Sequence, residues 1–198
     1  GRRRDGAGGG SAGGRRRGGE AGDGRASADR SHVNTQASGA ILNPVRASVE
    51  TLGGAVAGAR IGQALGIGSR LVTASAPGAT ATVLIGERRL MLGTNTSIVR
   101  DSARGFVLER GSLIGTGKGD APFVIHSDQT LVQPTTDAVW RVDRGFTTRV
   151  VGYDGNVEAS NVLGSSIIVN TLRQASAAGA ALPPATGPLS LTSGGARE

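Results

Sequence analysis

The sequence contains no cysteine, and only five of its 198 residues are aromatic. Without cysteine there is neither a disulfide framework nor a thiolate nucleophile, and a structural zinc site has no thiolate ligands. The 34 glycines add conformational entropy to the unfolded chain and contribute no packing area. We therefore expect a compact core over only part of the chain.

The sequence also lacks a segment that could cross a membrane as a helix. Its best candidate, residues 52–67, contains Arg60, Gln63 and five glycines, whereas a spanning helix needs about 20 predominantly apolar residues. The pattern of a secretory signal peptide, a positively charged leader before a short apolar core, is not visible either. We therefore expect no transmembrane segment in this chain.

Positive charge is concentrated at the amino-terminal end. The net charge is +7, and residues 1–30 hold eight arginines against four acidic residues, a net charge of +4. Eleven of these residues are glycine and none is a large apolar residue, so nothing offsets the entropy of ordering the backbone. The composition predicts a disordered and transitional segment over residues 1–46 and an Ala/Pro/Gly-rich tail over residues 173–198.

The arginines of residues 1–30 leave nucleic-acid binding open as an alternative function. Arginine-rich disordered segments bind RNA through salt-sensitive contacts with little sequence preference. The segment lacks the aromatic residues that usually interleave such repeats, and Lys118 is the only lysine among 22 basic residues. This bias indicates a GC-rich coding sequence as readily as a basic binding face. We expect no specific recognition of nucleic acid.

One glycine-rich stretch invites a nucleotide-binding interpretation. Residues 115–119 contain a Gly-Lys pair, but a phosphate-binding loop requires glycine where Ser112 stands and serine or threonine where Gly119 stands. Such a loop must also lead into a helix, whose first N–H groups meet the phosphate. Residues 121–123 open an apolar strand instead, so we interpret the stretch as a hairpin loop and expect no nucleotide cofactor.

No constellation of catalytic or metal-binding residues is visible. His32 and His126 are far apart in sequence, and neither lies at a metal-binding spacing from another ligand. Turn capping explains the acidic residues beside turns, which are Asp137, Asp143, Asp154 and Glu158. We therefore expect no catalytic residue, no cofactor-binding residue, no metal ligand and no enzymatic activity.

Short apolar runs separated by glycine-centred turns fill residues 47–172. Residues 81–85 and 88–92 flank a Gly86-Glu87 pair, and glycine at the first position of a two-residue loop is typical of a type II′ hairpin. Many such runs at near-regular spacing predict an all-β fold of short antiparallel strands and hairpins. Because no window repeats apolar residues at helical spacing, we expect little helix.

The five aromatic residues all fall between positions 106 and 153. Phe106, Phe123 and Trp140 lie inside apolar strand candidates, and large side chains dominate the energetics of a core. The alternative is an exposed platform on which nucleic-acid bases stack, and it needs aromatic residues interleaved with basic ones. The pattern favours the core, and we predict that these three residues face it.

The order of turns and strands resembles the FecR family of periplasmic signalling domains. Six segments carry the resemblance, in chain order: residues 66–73, 81–92, 92–98, 107–113, 122–125 and 147–159. They are similar to the opening segment of that family, its next hairpin, its L-G-x-N-S segment, its v-L-x-x-G strand and turn, its P-F-x-V strand and its terminal hairpin. The resemblance implies a FecR-like β-solenoid or sandwich with turns at Gly86, Gly111 and Gly155.

In the FecR family the β domain receives a signal from an outer-membrane transducer and passes it through a membrane helix to an anti-sigma segment. The resemblance therefore implies a non-enzymatic sensory or protein-binding domain, periplasmic or secreted, with a protein partner in the cell envelope. Domains of this kind bind through exposed strand edges, whose free main-chain groups accept a partner strand. A secreted structural solenoid or adhesin segment stays open as a further alternative. The sequence does not give the oligomeric state.

Overall fold

The computed structural model describes residues 39–117, 123–177 and 185–188, which form seventeen β-strands and no helix. The strands are β1 (Gly39–Ile41), β2 (Ala47–Glu50), β3 (Val56–Gly58), β4 (Ala64–Leu65), β5 (Arg70–Thr73), β6 (Ala81–Ile85), β7 (Arg88–Leu92), β8 (Ser97–Arg100), β9 (Gly105–Gly117), β10 (Val124–Ser127), β11 (Thr130–Pro134), β12 (Ala138–Arg144), β13 (Thr148–Asp154), β14 (Val157–Asn161), β15 (Ser166–Val169), β16 (Arg173–Ala177) and β17 (Ala185–Pro188). The predicted all-β fold is confirmed. Within these ranges no helix is available to cross a membrane.

The strands form two sheets. Sheet I has the order β4-β1-β6-β7-β9-β12-β13-β16-β17, and all its pairs are antiparallel. Sheet II has the order β3-β2-β5-β8-β9-β10-β11-β14-β15. Its pairs are also antiparallel, except that β9 and β10 run parallel. Strand β9 belongs to both sheets and joins them.

Gly111 bends β9 from one sheet into the other. Residues 106–110 pair with β8 in sheet II, and residues 111–117 pair with β12 in sheet I. Gly111 has a φ of +86°, a left-handed conformation that only glycine adopts at little cost. The structure places this predicted turn position inside a thirteen-residue strand. A left-handed glycine redirects a strand here without a loop.

One hydrophobic core lies between the two sheets and contains the predicted aromatic residues. Phe106, Phe123 and Trp140 are each at most 2% exposed. The rings of Phe106 and Phe123 lie 6.0 Å apart between centroids, and the Arg88 guanidinium lies 5.6 Å from the Phe123 centroid. The Trp140 indole covers Gly115 on the neighbouring strand, where an added Cβ would collide with the ring.

Of the other two predicted turns, the one at Gly86 is present and the one at Gly155 differs from the structure. Gly86 has a φ of +59° in the two-residue loop between β6 and β7. Gly155 does not close a hairpin, because β13 pairs in sheet I and β14 in sheet II. It forms a corner between the sheets at a φ of +68°. Phe146, inside the aromatic cluster, is fully exposed in the β12–β13 turn.

The strands extend past both predicted limits of the β domain. β1 precedes residue 47 and pairs with β4 and β6, while β16 and β17 follow residue 172 and extend sheet I. β1 has only three residues, and the buried residues of β16 are Ala175 and Ala177. Alanine gives little strand signal, so the sequence pattern ends before the sheet does. The predicted disorder of residues 1–30 lies outside the described residues.

We expect Gly111→Ala to lower the free energy of unfolding by about 2–4 kcal/mol, because left-handed backbone is strained for alanine and the new Cβ would crowd a neighbour. That Cβ would lie 2.5 Å from Thr96 Oγ1 and 2.7 Å from the Asn95 carbonyl oxygen. The matched control is Gly145→Ala, in open space and without a left-handed φ. Denaturant unfolding followed by Trp140 fluorescence measures both variants, and equal losses would contradict this role of Gly111.

Candidate functional site

Four large aliphatic side chains are exposed where β3 and β4 form the outermost strands. The exposed fractions are 82% for Leu52, 67% for Val56, 76% for Ile61 and 58% for Ile67. Single exposed apolar residues are ordinary, whereas a group of them marks an interaction site. We call these four side chains the apolar end and take it as the candidate functional site.

The turn between β2 and β3 places Leu52 against the neighbouring turn. The N–H of Gly54 donates to the Thr51 carbonyl at 2.8 Å, and Gly54 adopts a φ of +80°. The Leu52 side chain then folds onto Gly68, where its Cδ1 lies 2.8 Å from the position of an added Cβ. Gly68 directly follows Ile67 in the β4–β5 turn, so Leu52 and Ile67 belong to one surface.

Strand β3 is the outer edge of sheet II, and among the described strands it pairs with β2 alone. The main chains of Ala55 and Ala59, on either side of β3, hydrogen-bond to the β2 arm of the hairpin. In an antiparallel pair, alternate residues bond the partner strand. Ala57 therefore also bonds β2, and the N–H and C=O groups of Val56 and Gly58 point away from it. These groups form an open row of donors and acceptors.

Beside this edge, charged side chains from adjacent strands of sheet II pair with one another. Arg70 donates to Glu109 from Nε at 2.8 Å and from Nη2 at 3.0 Å, and to Glu50 from Nη1 at 2.6 Å. The Ser97 hydroxyl donates to Glu109 at 2.7 Å. The hydrogen bond with Glu109 is the main cause that raises the pKa of Arg70, and the same bond lowers the pKa of Glu109.

A shallow cavity of about 220 Å³ lies between these charges and the β2–β3 turn. It is lined by Glu50, Thr51, Leu52, Gly54, Gly68, Arg70 and Val99. Pockets for small ligands are typically larger, about 300–1,000 Å³. Its three polar side chains include a carboxylate and a guanidinium that already bond each other. The cavity therefore suits one side chain of a protein partner.

A buried arginine fixes the same end of the molecule to the core. Arg100 is 3% exposed and donates to the carbonyls of Leu65 at 2.6 Å, Ser102 at 3.1 Å and Ala103 at 3.2 Å. Burial lowers the pKa of its guanidinium. The Arg100 carbonyl accepts the N–H of Gly68 at 2.7 Å. Arg100 thereby holds the β4–β5 turn, which carries Ile67, to strand β8.

The residues singled out from the sequence lie away from the apolar end. The turn glycines and core aromatics occupy other strands and the interior, and they are Gly86, Gly111, Gly155, Phe106, Phe123 and Trp140. Residues 52–67 did stand out as the most apolar stretch, but only as a candidate membrane span. The signal that could have revealed the apolar end is the spacing of its large aliphatic residues, which stand singly among glycines and alanines. Such residues have no large apolar neighbours in sequence that could help to bury them.

Side chains that could ligate a metal are scattered in the described part of the chain. In residues 39–117, 123–177 and 185–188, no three His, Cys, Asp or Glu side chains come together to hold a metal ion. His126 Nε2 lies 3.5 Å from Asp101 Oδ2, while His32 and Lys118 lie outside these ranges. What the arrangement at the apolar end provides is apolar area, a small cavity and free main-chain groups.

Two solved structures are similar to part of this chain, whereas no protein-family model and no curated protein matches the sequence. Both are crystal structures of a protein from Parabacteroides distasonis assigned as an anti-sigma factor. The TM-scores are 0.51 and 0.49, at sequence identities of 16% and 14%. In each case the similarity covers 60% of this chain and 59% of the other chain. At these identities the likeness concerns the fold alone.

The Arg70–Glu109 pair predicts a pH-dependent contribution to stability. The pKa of Glu109 is lower in the folded protein than in the unfolded chain, so its stabilisation is present above the unfolded value and is lost as pH falls through the folded one. We expect the unfolding free energies of the wild type and Glu109→Gln to differ near pH 7 and to converge near pH 2. Urea denaturation at stepped pH measures this difference.

The matched control for this prediction is Glu87→Gln. Glu87 is an exposed acid in the β6–β7 turn, and surface substitutions of this kind change stability little. Its difference from the wild type should therefore stay small at every pH. A gap between the wild type and Glu109→Gln that stays constant from neutral to acidic pH would contradict the role given to the ion pair.

Proposed function

We propose that this chain is a non-enzymatic, FecR-like protein-binding domain of the cell envelope, periplasmic or secreted, that relays a signal to an anti-sigma system. The observation that carries the proposal is the apolar end. Its four aliphatic side chains are each more than half exposed, and they lie beside an open strand edge. A surface with these properties serves association with another protein.

The energetics favour a protein partner over a small substrate. Burial of apolar surface contributes about 25 cal/mol per Å², and an extended partner can cover all four side chains at once. A small molecule would contact only the cavity, whose volume is about 220 Å³ and whose charges already pair.

Two further observations support a role in signalling. Six segments of the sequence follow the order of the FecR motifs, and that resemblance implies an envelope location and a relay partner. The structural neighbour with a TM-score of 0.51 is assigned as an anti-sigma factor. The motif order and the fold therefore favour the same class of regulatory protein.

Nucleic-acid binding through residues 1–30 is a second candidate, favoured by their net charge of +4. The two functions respond oppositely to salt. Contacts between arginine and phosphate weaken steeply as salt displaces them, whereas apolar association does not weaken with salt. Binding that survives high salt and deletion of residues 1–30 therefore belongs to the β domain.

A photo-crosslinking amino acid placed at Leu52 or Ile61 tests the proposed function. When the full chain is mixed with envelope extract of its source organism, we expect both positions to capture the same protein. Mass spectrometry should identify that protein as an outer-membrane transducer or an anti-sigma protein. The matched control is Leu172, which is 61% exposed and lies between β15 and β16. Capture of the same protein from Leu172, or no capture at all, would contradict the proposal.

A further inference from the structure

We propose that the open edge of β3 binds an extended segment of the partner protein as an added strand of sheet II, and that a carboxylate of this segment pairs with Arg60. This inference rests on the proposed function, because it states which partner chemistry fits the apolar end. Four features of the described residues support it. The β3 edge is unprotected, and the row of buried apolar residues across sheet II ends before β3. Arg60 is exposed, and no pairing of two β3 edges places an acidic residue opposite it.

Apart from its length of three residues, the β3 edge lacks the features that normally prevent a strand edge from pairing. Natural edges carry charged side chains, proline or bulges. Residues 53–59 are only glycine, alanine and valine, and the pairing of β2 with β3 shows no register shift. Because Val56 and Gly58 direct their main-chain groups outward, the edge is ready to accept a strand. An edge left open in this way fits a protein that pairs it in use.

The buried apolar side chains of sheet II end at β2, one strand before the β3 edge. A row of directly paired residues crosses the sheet from Leu108 through Ile98, Leu71 and Val49 to Ala57. The first four are at most 2% exposed, whereas Ala57 is exposed. An added strand would place its next side chain in this row beside Ala57. A large apolar residue there would extend the core and bury the outer strand.

Small side chains make room for bulky residues of an incoming strand. An added Cβ at Gly53, Gly54 or Gly58 would have no atom within 4 Å. Successive residues of a strand point to opposite faces, so an incoming segment with alternating apolar residues places them all on the core face. Leu52 and Ile61, at the two ends of the β3 hairpin arm, then border the added strand.

Arg60 is the reason to expect an acidic residue in the bound segment. It follows β3 directly and is exposed, and none of the ion pairs among the described residues includes it. Its main-chain N–H donates to Gln63 Oε1 at 2.9 Å, which fixes the backbone at this position. A carboxylate at one end of the bound segment can pair with its guanidinium, which forms bidentate hydrogen bonds with carboxylates.

A second copy of this chain would not provide an acidic partner for Arg60 at the β3 edge. Two β3 edges related by a two-fold axis would pair antiparallel, with Val56 and Gly58 exchanging hydrogen bonds. In the three registers that allow this exchange, Arg60 faces Leu52, Gly54 or Val56. None of these residues is acidic, so self-pairing leaves the guanidinium without a partner. The occupant is therefore a segment of another protein.

Two of the three other outer strands, β15 and β4, are less suited to strand addition than β3. β15, at the far edge of sheet II, contacts β13, β16 and β17 of sheet I. β4, the outer strand of sheet I at the apolar end, has only two residues. β3 alone among these three combines a free row of main-chain groups with surrounding exposed aliphatic side chains.

A random peptide library displayed on phage tests the inference with the purified full chain. We expect the enriched peptides to alternate apolar and polar residues and to carry an aspartate or glutamate near one end. In the complex with one such peptide, the amide hydrogens of Val56 and Gly58 should exchange at least about tenfold more slowly. The amide of Ala57 already bonds β2 and should change little, which makes it the internal control.

Two substitutions separate the main-chain contribution from the side-chain contributions. Val56→Pro removes an outward N–H and leaves the bonds to β2 intact, so peptide affinity should fall about tenfold or more. Val56→Ala is the matched control: it keeps the N–H and removes only the apolar contact of the side chain, so peptide affinity should fall clearly less than in Val56→Pro. Arg60→Gln should weaken acidic peptides and leave unchanged those whose acid is replaced by an amide. Amide exchange in the wild type tests the inference even if a variant fails to fold.

Several outcomes would overturn the inference. Enriched peptides without acidic residues or strand alternation would do so, as would protection that maps away from β3. Slow exchange of the Val56 and Gly58 amides in a dimer of the chain alone would assign the edge to a second copy.

The two proposals fail in different ways. If crosslinking captures an envelope protein equally well with Val56→Pro, the strand inference is wrong and the proposed function stands. If acidic peptides pair with β3 but no envelope protein is captured, the strand inference stands and the proposed function is wrong.

Discussion

The bend at Gly111 is the constraint on which the two-sheet arrangement depends. With its left-handed φ, one strand runs in sheet II before this residue and in sheet I after it. The core forms on both sides of the bend, because Phe106 and Leu108 precede it and Leu113 follows it, all buried. Any residue with a Cβ would meet Thr96 there. A single backbone conformation thus determines how the inner faces of the sheets meet.

The same arrangement leaves the outer strand β3 incomplete. Sheet II extends from β9 through β8, β5 and β2, and each of these strands contributes a large apolar residue to the core row. In β3 the corresponding residue of this row is Ala57, whose side chain is small and exposed. Main-chain hydrogen bonds to β2 therefore hold β3 with little help from apolar burial. A strand held on one side only by its backbone is well placed to be completed by another strand.

The sequence predicted the parts of the fold that depend on local pattern. Strand alternation, the two-residue loop at Gly86 and the absence of helical periodicity are local properties, and the all-β fold follows from them. A glycine in the sequence is equally compatible with a turn, a bend within a strand and a corner between sheets. The roles of Gly111 and Gly155 therefore become visible only from the strand pairing in the structure. The exposure of Phe146 and of the apolar end was equally invisible, because a sequence does not show which apolar residues lack a neighbouring strand.

Charge and backbone contribute differently to recognition at the apolar end. Arg70 pairs with both Glu50 and Glu109, and Arg100 donates inward to carbonyls of the protein itself. These groups stabilise the local structure and leave few free charges to attract a partner over distance. What remains at the surface is aliphatic area, main-chain donors and acceptors, and Arg60. Backbone pairing accepts many sequences, whereas a carboxylate opposite one guanidinium restricts the choice. In the proposed complex, affinity therefore comes mainly from the added strand, and selectivity from the arginine beside it.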